Sequence, residues 1–136
     1  MSARATAYRI LAMRSCLSKT LREKLLRKGF EESVCDQVIE ELIANGYLND
    51  AEFTERAVKR AVERGYGPRY IAQKMKFKGM DAQKEVSAIS DEEQRAQIQR
   101  LLAKRFGSRD RAIRMLERRG FSLAMIFEEV EKFSSK

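Results

Sequence analysis

The side chains able to do chemistry in this sequence are overwhelmingly cations. Lysine and arginine number 28 against 20 acids, a net charge of +8, and histidine is absent. The commonest general base and the commonest zinc ligand are therefore both missing. Cys16 and Cys35 stand in helix-like segments without CxxC spacing, which predicts free, buried thiols rather than a disulfide or a metal site. No glycine-rich phosphate cradle and no nucleophile beside a base completes a reaction centre. The expectation is a chain that is not an enzyme, takes no metal and no cofactor, and acts by electrostatic recognition.

The cations recur in register. With the chain aligned on Gly29, Gly79 and Gly120, three basic positions coincide: Arg9, Lys59 and Arg100; Arg14, Arg64 and Arg105; Lys28, Lys78 and Arg119. The last two registers fall in final helical turns, where a cation offsets the macrodipole, so a structural role competes with partner contact. The first lies mid-helix, where partner contact and plain solvation both fit. Lys74, Lys76 and Lys78 add a central cluster. The segments Arg4 to Lys28, Arg56 to Lys78 and Arg95 to Arg119 each carry +7, whereas acids gather after each aligned glycine, as at Glu31, Glu32, Asp36, Glu40 and Glu41. Such segregation suits a polyanionic or mosaic-charged partner.

The elements that must position these charges are helices. Apolar residues recur at steps of three and four, as in Val34, Val38, Leu42 and in Ile126, Val130, Phe133. Six of the seven glycines directly follow such a segment, where a left-handed residue would end a helix. Pro68, the only proline, suits the first turn of the next helix, so "RGYGPRYI" reads as stop, turn, start. Asp50, Asp91 and Ser108 are expected N-caps.

The phrases "LREKLLRKGF", "IAQKMKFKGM" and "AIRMLERRGF" are versions of one another, and apolar positions coincide around them, for example Leu25, Met75, Leu116 and Phe30, Met80, Phe121. The fold class predicted is all-α: three tandem three-helix repeats, at 1–49, 50–90 and 91–136, forming an elongated, curved array. One unit of this size cannot bury its apolar face alone, so stacking is expected. No apolar run approaches 18 residues and no cleavable signal opens the chain, which predicts a cytoplasmic protein with no membrane partner. The absence of a heptad seam predicts a monomer.

Basic second helices after short turns raise a helix-turn-helix alternative, a non-specific DNA-binding protein. The candidate helices carry mostly Lys, Arg, Glu and apolar residues, which supports phosphate attraction but not base reading. Tyr8, Phe30, Tyr47, Phe53, Phe77 and Phe121 sit at helix ends or periodic positions and are expected in the core rather than stacked on bases.

The stretch "NGYLNDAEFTERAVKRAVERGYGPRYIAQKMKFKGM", Asn45 to Met80, resembles the signature of the bacterial RecX regulatory proteins. The matching residues are Gly46-Tyr47-Leu48, Asp50, Phe53, Ala57, Arg64-Gly65-Tyr66-Gly67-Pro68, Ile71 and Lys78-Gly79. The opening "LSKTLREKLLRKGF" is similar to that family's, while "RSCLS" and Ser108 depart from its pattern. The resemblance implies a tandem three-helix protein that modulates RecA, the recombinase that forms filaments on single-stranded DNA. It implies binding to that nucleoprotein filament, hindered extension, and lowered ATPase, strand-exchange and co-protease activity. Weak direct binding to single- or double-stranded DNA is a further expectation. Tyr47, Leu48, Phe53, Gly65, Gly67 and Pro68 are expected to join two repeats. The partner-binding residues expected, toward RecA or DNA phosphates, are Arg9, Lys59 and Arg100, with Arg64, Lys74 and Lys78 in support.

Overall fold

The computed structural model describes residues 1–104 and 106–135, which form nine α-helices and no strand. They follow one another in threes: α1 (Ala3–Met13), α2 (Ser18–Arg27), α3 (Glu32–Ala44); α4 (Asp50–Glu63), α5 (Pro68–Phe77), α6 (Gln83–Ser87); α7 (Asp91–Lys104), α8 (Arg109–Arg118), α9 (Leu123–Ser134). The chain divides into two compact units, Met1–Phe53 and Thr54–Lys136.

The ends of these helices follow local chemistry. Each second helix is C-capped by the cation that recurs in register, Lys28, Lys78 or Arg119, and a left-handed glycine comes next, as at Gly120 with φ +97°. Pro68 occupies the first turn of α5, and the Ser108 hydroxyl accepts from Arg111 N at 3.2 Å to open α8. Two expected caps are displaced by one residue. Asn49 Oδ1 accepts from Glu52 N at 3.0 Å and Ser90 Oγ from Glu93 N at 3.1 Å, so Asn49 and Ser90 are the caps. Asp50 and Asp91 are instead the first helical residues, where a carboxylate meets the positive end of the macrodipole. Asp50 also reaches α2: its Oδ1 accepts from Ser18 N at 2.8 Å and from Ser18 Oγ at 3.1 Å, supplying a cap that Leu17 cannot.

In the first unit Ala7, Leu21, Leu25, Cys35 and Leu42 are completely buried, with Leu48 closing the cluster. Acids of α3 answer cations of the other two helices. Arg4 pairs with Glu41 at 2.9 Å, and Arg22 with Glu32 at 3.1 Å and Asp36 at 2.7 Å. The charge segregation seen along the sequence is thus partly consumed inside the repeat.

In the second unit Ile98, Leu102, Ala112, Leu116, Phe121, Ile126 and Val130 form the core of α7, α8 and α9. Burial of each large member contributes about 1.5–3 kcal/mol. The middle triple buries Val58, Val62, Ile71, Met75 and Met80, but α6 has only 5 residues against 12 in α9. The ion network Arg22, Glu32, Asp36 has no charged counterpart here. The aligned residues are Ala72, Ala82, Val86 in the middle repeat and Ile113, Leu123, Phe127 in the last, three-residue replacements of a charged set by apolar ones.

Glu129 on α9 is 3 % exposed. Arg95 Nη1 donates to it at 2.9 Å, Gln99 Nε2 at 3.1 Å and Lys132 Nζ at 3.0 Å. Burial alone would push its carboxyl up, but the hydrogen bonds from Lys132, Gln99 and Arg95 together hold it below the ordinary carboxylate value. A carboxylate depressed in the folded state stabilises above its unfolded pKa of about 4.3, and that stabilisation disappears as pH falls through the folded value. Glu129→Gln is expected to lose about 2 kcal/mol at neutral pH, in line with hydrogen bonds to a buried charge. In urea melts the deficit against the parent should shrink as the pH drops below about 4, whereas a constant deficit would show that the carboxylate charge is not the source.

Candidate functional site

The second unit brings one set of cations together at the end of α4. A helix leaves its last carbonyls without intrahelical donors, and here donors arrive from the following repeat. Arg100 Nη2 donates to Glu63 O at 2.6 Å, and Arg119 Nη1 to Arg64 O at 3.1 Å and Gly65 O at 3.4 Å. Arg100 was ambiguous in the sequence because it lies mid-helix in α7. Its role concerns the dipole of another helix, α4, rather than its own.

The turn "RGYGPRYI" carries the rest of the junction. Gly67 N donates to Arg119 O at 2.6 Å and Arg69 N to Gly120 O at 3.2 Å. The Gly67 backbone, at φ −92° and ψ 168°, matches that of its aligned counterparts Leu17 and Ser108, so the conformation itself does not demand glycine. Space does. A Cβ on Gly67 would stand 2.6 Å from the Gly120 carbonyl carbon, and one on Gly120 would stand 2.3 Å from Tyr70 N. Two backbones touch where side chains would hold them apart.

Aromatic rings line the same place. The Arg119 guanidinium lies 5.1 Å from the Tyr66 ring centre, Tyr66 stacks on Tyr70 at 4.2 Å with 12° between planes, and Lys74 Nζ lies 5.9 Å from the Tyr70 centre. The result is a cation, ring, ring, cation series that runs from Arg119 to Lys74.

Of the six cations expected to meet a partner, all are exposed. Lys59 and Arg64 are on and just after α4, Lys74 and Lys78 are at the end of α5, and Arg100 is on α7. The side chains of Lys59, Arg64 and Lys78 make no ion pair or hydrogen bond among the described residues. Arg9 belongs to the first unit, on α1, where its Nη1 lies 3.9 Å from Met1 Sδ. Arg105 lies outside the described residues.

Two aromatics expected in the core are on the surface. Phe77 is 91 % exposed and Tyr47 60 % exposed, the latter meeting Tyr8 edge-on at 5.2 Å. Phe77 aligns with Arg27 and Arg118, so its register is a surface one, a signal already present in the repeat. Leu48 is buried between α3 and α4, Gly65 and Gly67 are buried between α4 and α5, and Phe53 in α4 and Pro68 at the start of α5 are half-buried.

The thiols offer no nucleophile: burial pushes Cys16 and Cys35 above the ordinary cysteine value. Among the described residues no group of three or more His, Cys, Asp or Glu could hold a metal ion, and no helix is long and apolar enough to cross a membrane.

Comparison with known proteins identifies two family domains. Residues 3–42 match the first three-helix domain of RecX and residues 49–83 the second. The regulatory protein RecX of Halorhodospira halophila is 34 % identical over 129 residues, covering 88 % of this chain and 80 % of its own. That of Acidithiobacillus ferrooxidans is 33 % identical over 126 residues, covering 87 % and 81 %. In fold, the chain is similar to the crystal structure of RecX from Lactobacillus salivarius, with a TM-score of 0.85 at 22 % identity over 98 % of this chain and 96 % of that one.

The backbone contact at Gly67 sets a stability test. Gly67→Ala is expected to lower unfolding free energy by about 1–3 kcal/mol, because its methyl would meet backbone that cannot rotate away. Gly29→Ala, whose Cβ would meet nothing within 4 Å, should cost only the strain of φ +95°. Equal, small losses for both in chemical denaturation would contradict a tight junction at Gly67.

Proposed function

This chain belongs to the RecX family of regulatory proteins, and on that premise we propose that it is a negative regulator of RecA. In this reading it binds the RecA filament on single-stranded DNA, limits extension of the filament, and lowers its ATPase, strand-exchange and co-protease activities. The repeats at 1–49, 50–90 and 91–136 would supply linked, individually weak contacts whose effective concentration raises the total affinity.

The observation that carries the reading is the division of labour among the cations. Arg100 and Arg119 have carbonyl partners inside the second unit, whereas Lys59, Arg64 and Lys78 have exposed heads without internal partners among the described residues. A free lysine head can meet an anionic partner without first breaking an internal bond. It also speeds encounter with an acidic protein face or with phosphates. We therefore place Lys59, Arg64, Lys74 and Lys78 foremost in the partner surface. Arg9 contributes from the first unit. Arg100 contributes through the guanidinium donors not used on Glu63, since five are available.

RecA-catalysed strand exchange tests this assignment. Added protein is expected to lower the yield of exchanged product. The triple variant Lys59→Glu, Lys74→Glu, Lys78→Glu should need roughly tenfold more protein for the same inhibition, about 1.4 kcal/mol of lost contact. It should remain folded and helical because all three positions are exposed, with a small drop in melting temperature from carboxylates at the C-terminal end of α5. Inhibition equal to the parent by a folded triple variant would refute the assignment.

A further inference from the structure

Phe77 is the most exposed large apolar side chain of the chain, at 91 %. It stands at the last helical position of α5, inside the run Lys74, Met75, Lys76, Phe77, Lys78. The other two repeats put Arg27 and Arg118 in this register, so the middle repeat shows a flat ring where its siblings show a cation. No ring or core cluster among the described residues takes it up.

Helical geometry places Phe77 on one stripe with Lys74, three residues earlier, and Tyr70, seven earlier. Tyr70 and Phe77 are separated by about 10 Å along the axis at 1.5 Å per residue. Tyr70 already presents a ring braced by Tyr66 on one side and Lys74 above. Between Arg64 and Met80 there is no acid, and the cations are Arg64, Arg69, Lys74, Lys76 and Lys78.

We propose that Phe77 is a stacking platform for an unpaired nucleobase, with Lys74, Lys76 and Lys78 holding the neighbouring phosphates of a single strand. An aromatic face amid cations matches a polymer that alternates flat apolar rings with anions, and base stacking on such a ring is tolerant of sequence. Duplex DNA fits less well, because its bases must be unstacked before a ring can meet them. An acidic protein would satisfy the lysines but gives no reason for a ring at this register in place of arginine. The inference goes beyond the regulation of RecA proposed above, since the site needs no RecA, and the binding assays that test it contain none.

The chain contains no tryptophan, so Phe77→Trp in the full protein introduces a single reporter. Oligothymidylate should quench its emission at low salt, and inorganic polyphosphate of equal charge should not. Phe77→Ala should weaken oligothymidylate binding by anisotropy about 5- to 150-fold, the range expected for one stacked base, and Phe77→Leu should fail to restore it. Lys76→Gln should flatten the slope of log affinity against log salt by about 0.7. Folding should survive, because the side chain is almost wholly in solvent. Unchanged affinity in Phe77→Ala, or quenching by polyphosphate as strong as by the oligonucleotide, would overturn the proposal. So would a Phe77→Ala variant that loses inhibition of RecA while binding oligothymidylate normally, a result that would assign the ring to a protein pocket instead.

Discussion

The second unit depends on the approach of two backbones at Gly67 and Gly120. The hydrogen bonds Gly67 N to Arg119 O and Arg69 N to Gly120 O require that neither glycine carry a side chain. Once that contact is made, Arg119 is brought beneath the end of α4, where its guanidinium serves the carbonyls of Arg64 and Gly65 and covers the Tyr66 ring. Arg100 completes the cap at Glu63. The start of α5, fixed by Pro68 at the same turn, thereby has a defined direction relative to α8. The lysines at the far end of α5 inherit that direction.

Net charge of one sign would be a liability in so small a protein unless much of it were answered locally. Each repeat answers it differently. The first uses ion pairs from α3 to Arg4 and Arg22, and the last sinks Glu129 among Arg95, Gln99 and Lys132. The middle repeat has a five-residue third helix, with Asp81 and Glu85 as its acids, and Lys59, Arg64 and Lys78 make no ion pair or hydrogen bond among the described residues. That helix carries one lysine, Lys84, and one acid, Glu85, so it offers the basic second helix no surplus of negative charge. Lys59, Arg64 and Lys78 are therefore the cations of this repeat best placed to meet a partner.

Much of this was legible from residue spacing. The glycine period and the single proline fix where helices end and begin, because those signals act within a few residues. The aligned apolar positions Leu21, Ile71, Ala112 and Leu25, Met75, Leu116 are all buried, since one face of a helix has only one core to meet. Cap positions were off by one at Asn49 and Ser90, where an adjacent acid offered an equally good oxygen and only the backbone angles decide. The role of Arg100 and the steric need for glycine at 67 were invisible, because both depend on a neighbour 37 to 53 residues away in the chain. Phe77 is on the surface and not in the core that its aromatic character suggests, because its register is the solvent-facing one that Arg27 and Arg118 occupy.

The claim that the chain regulates a filament, and does not act only by coating DNA, is met most directly by RecA's DNA-dependent ATPase on preformed filaments. The protein would be added far below the RecA concentration, with single-stranded DNA in excess. A progressive decline in hydrolysis at such low ratios is expected if the chain acts on the filament. Full hydrolysis until the protein is abundant enough to coat the DNA would contradict the account and leave only electrostatic sequestration.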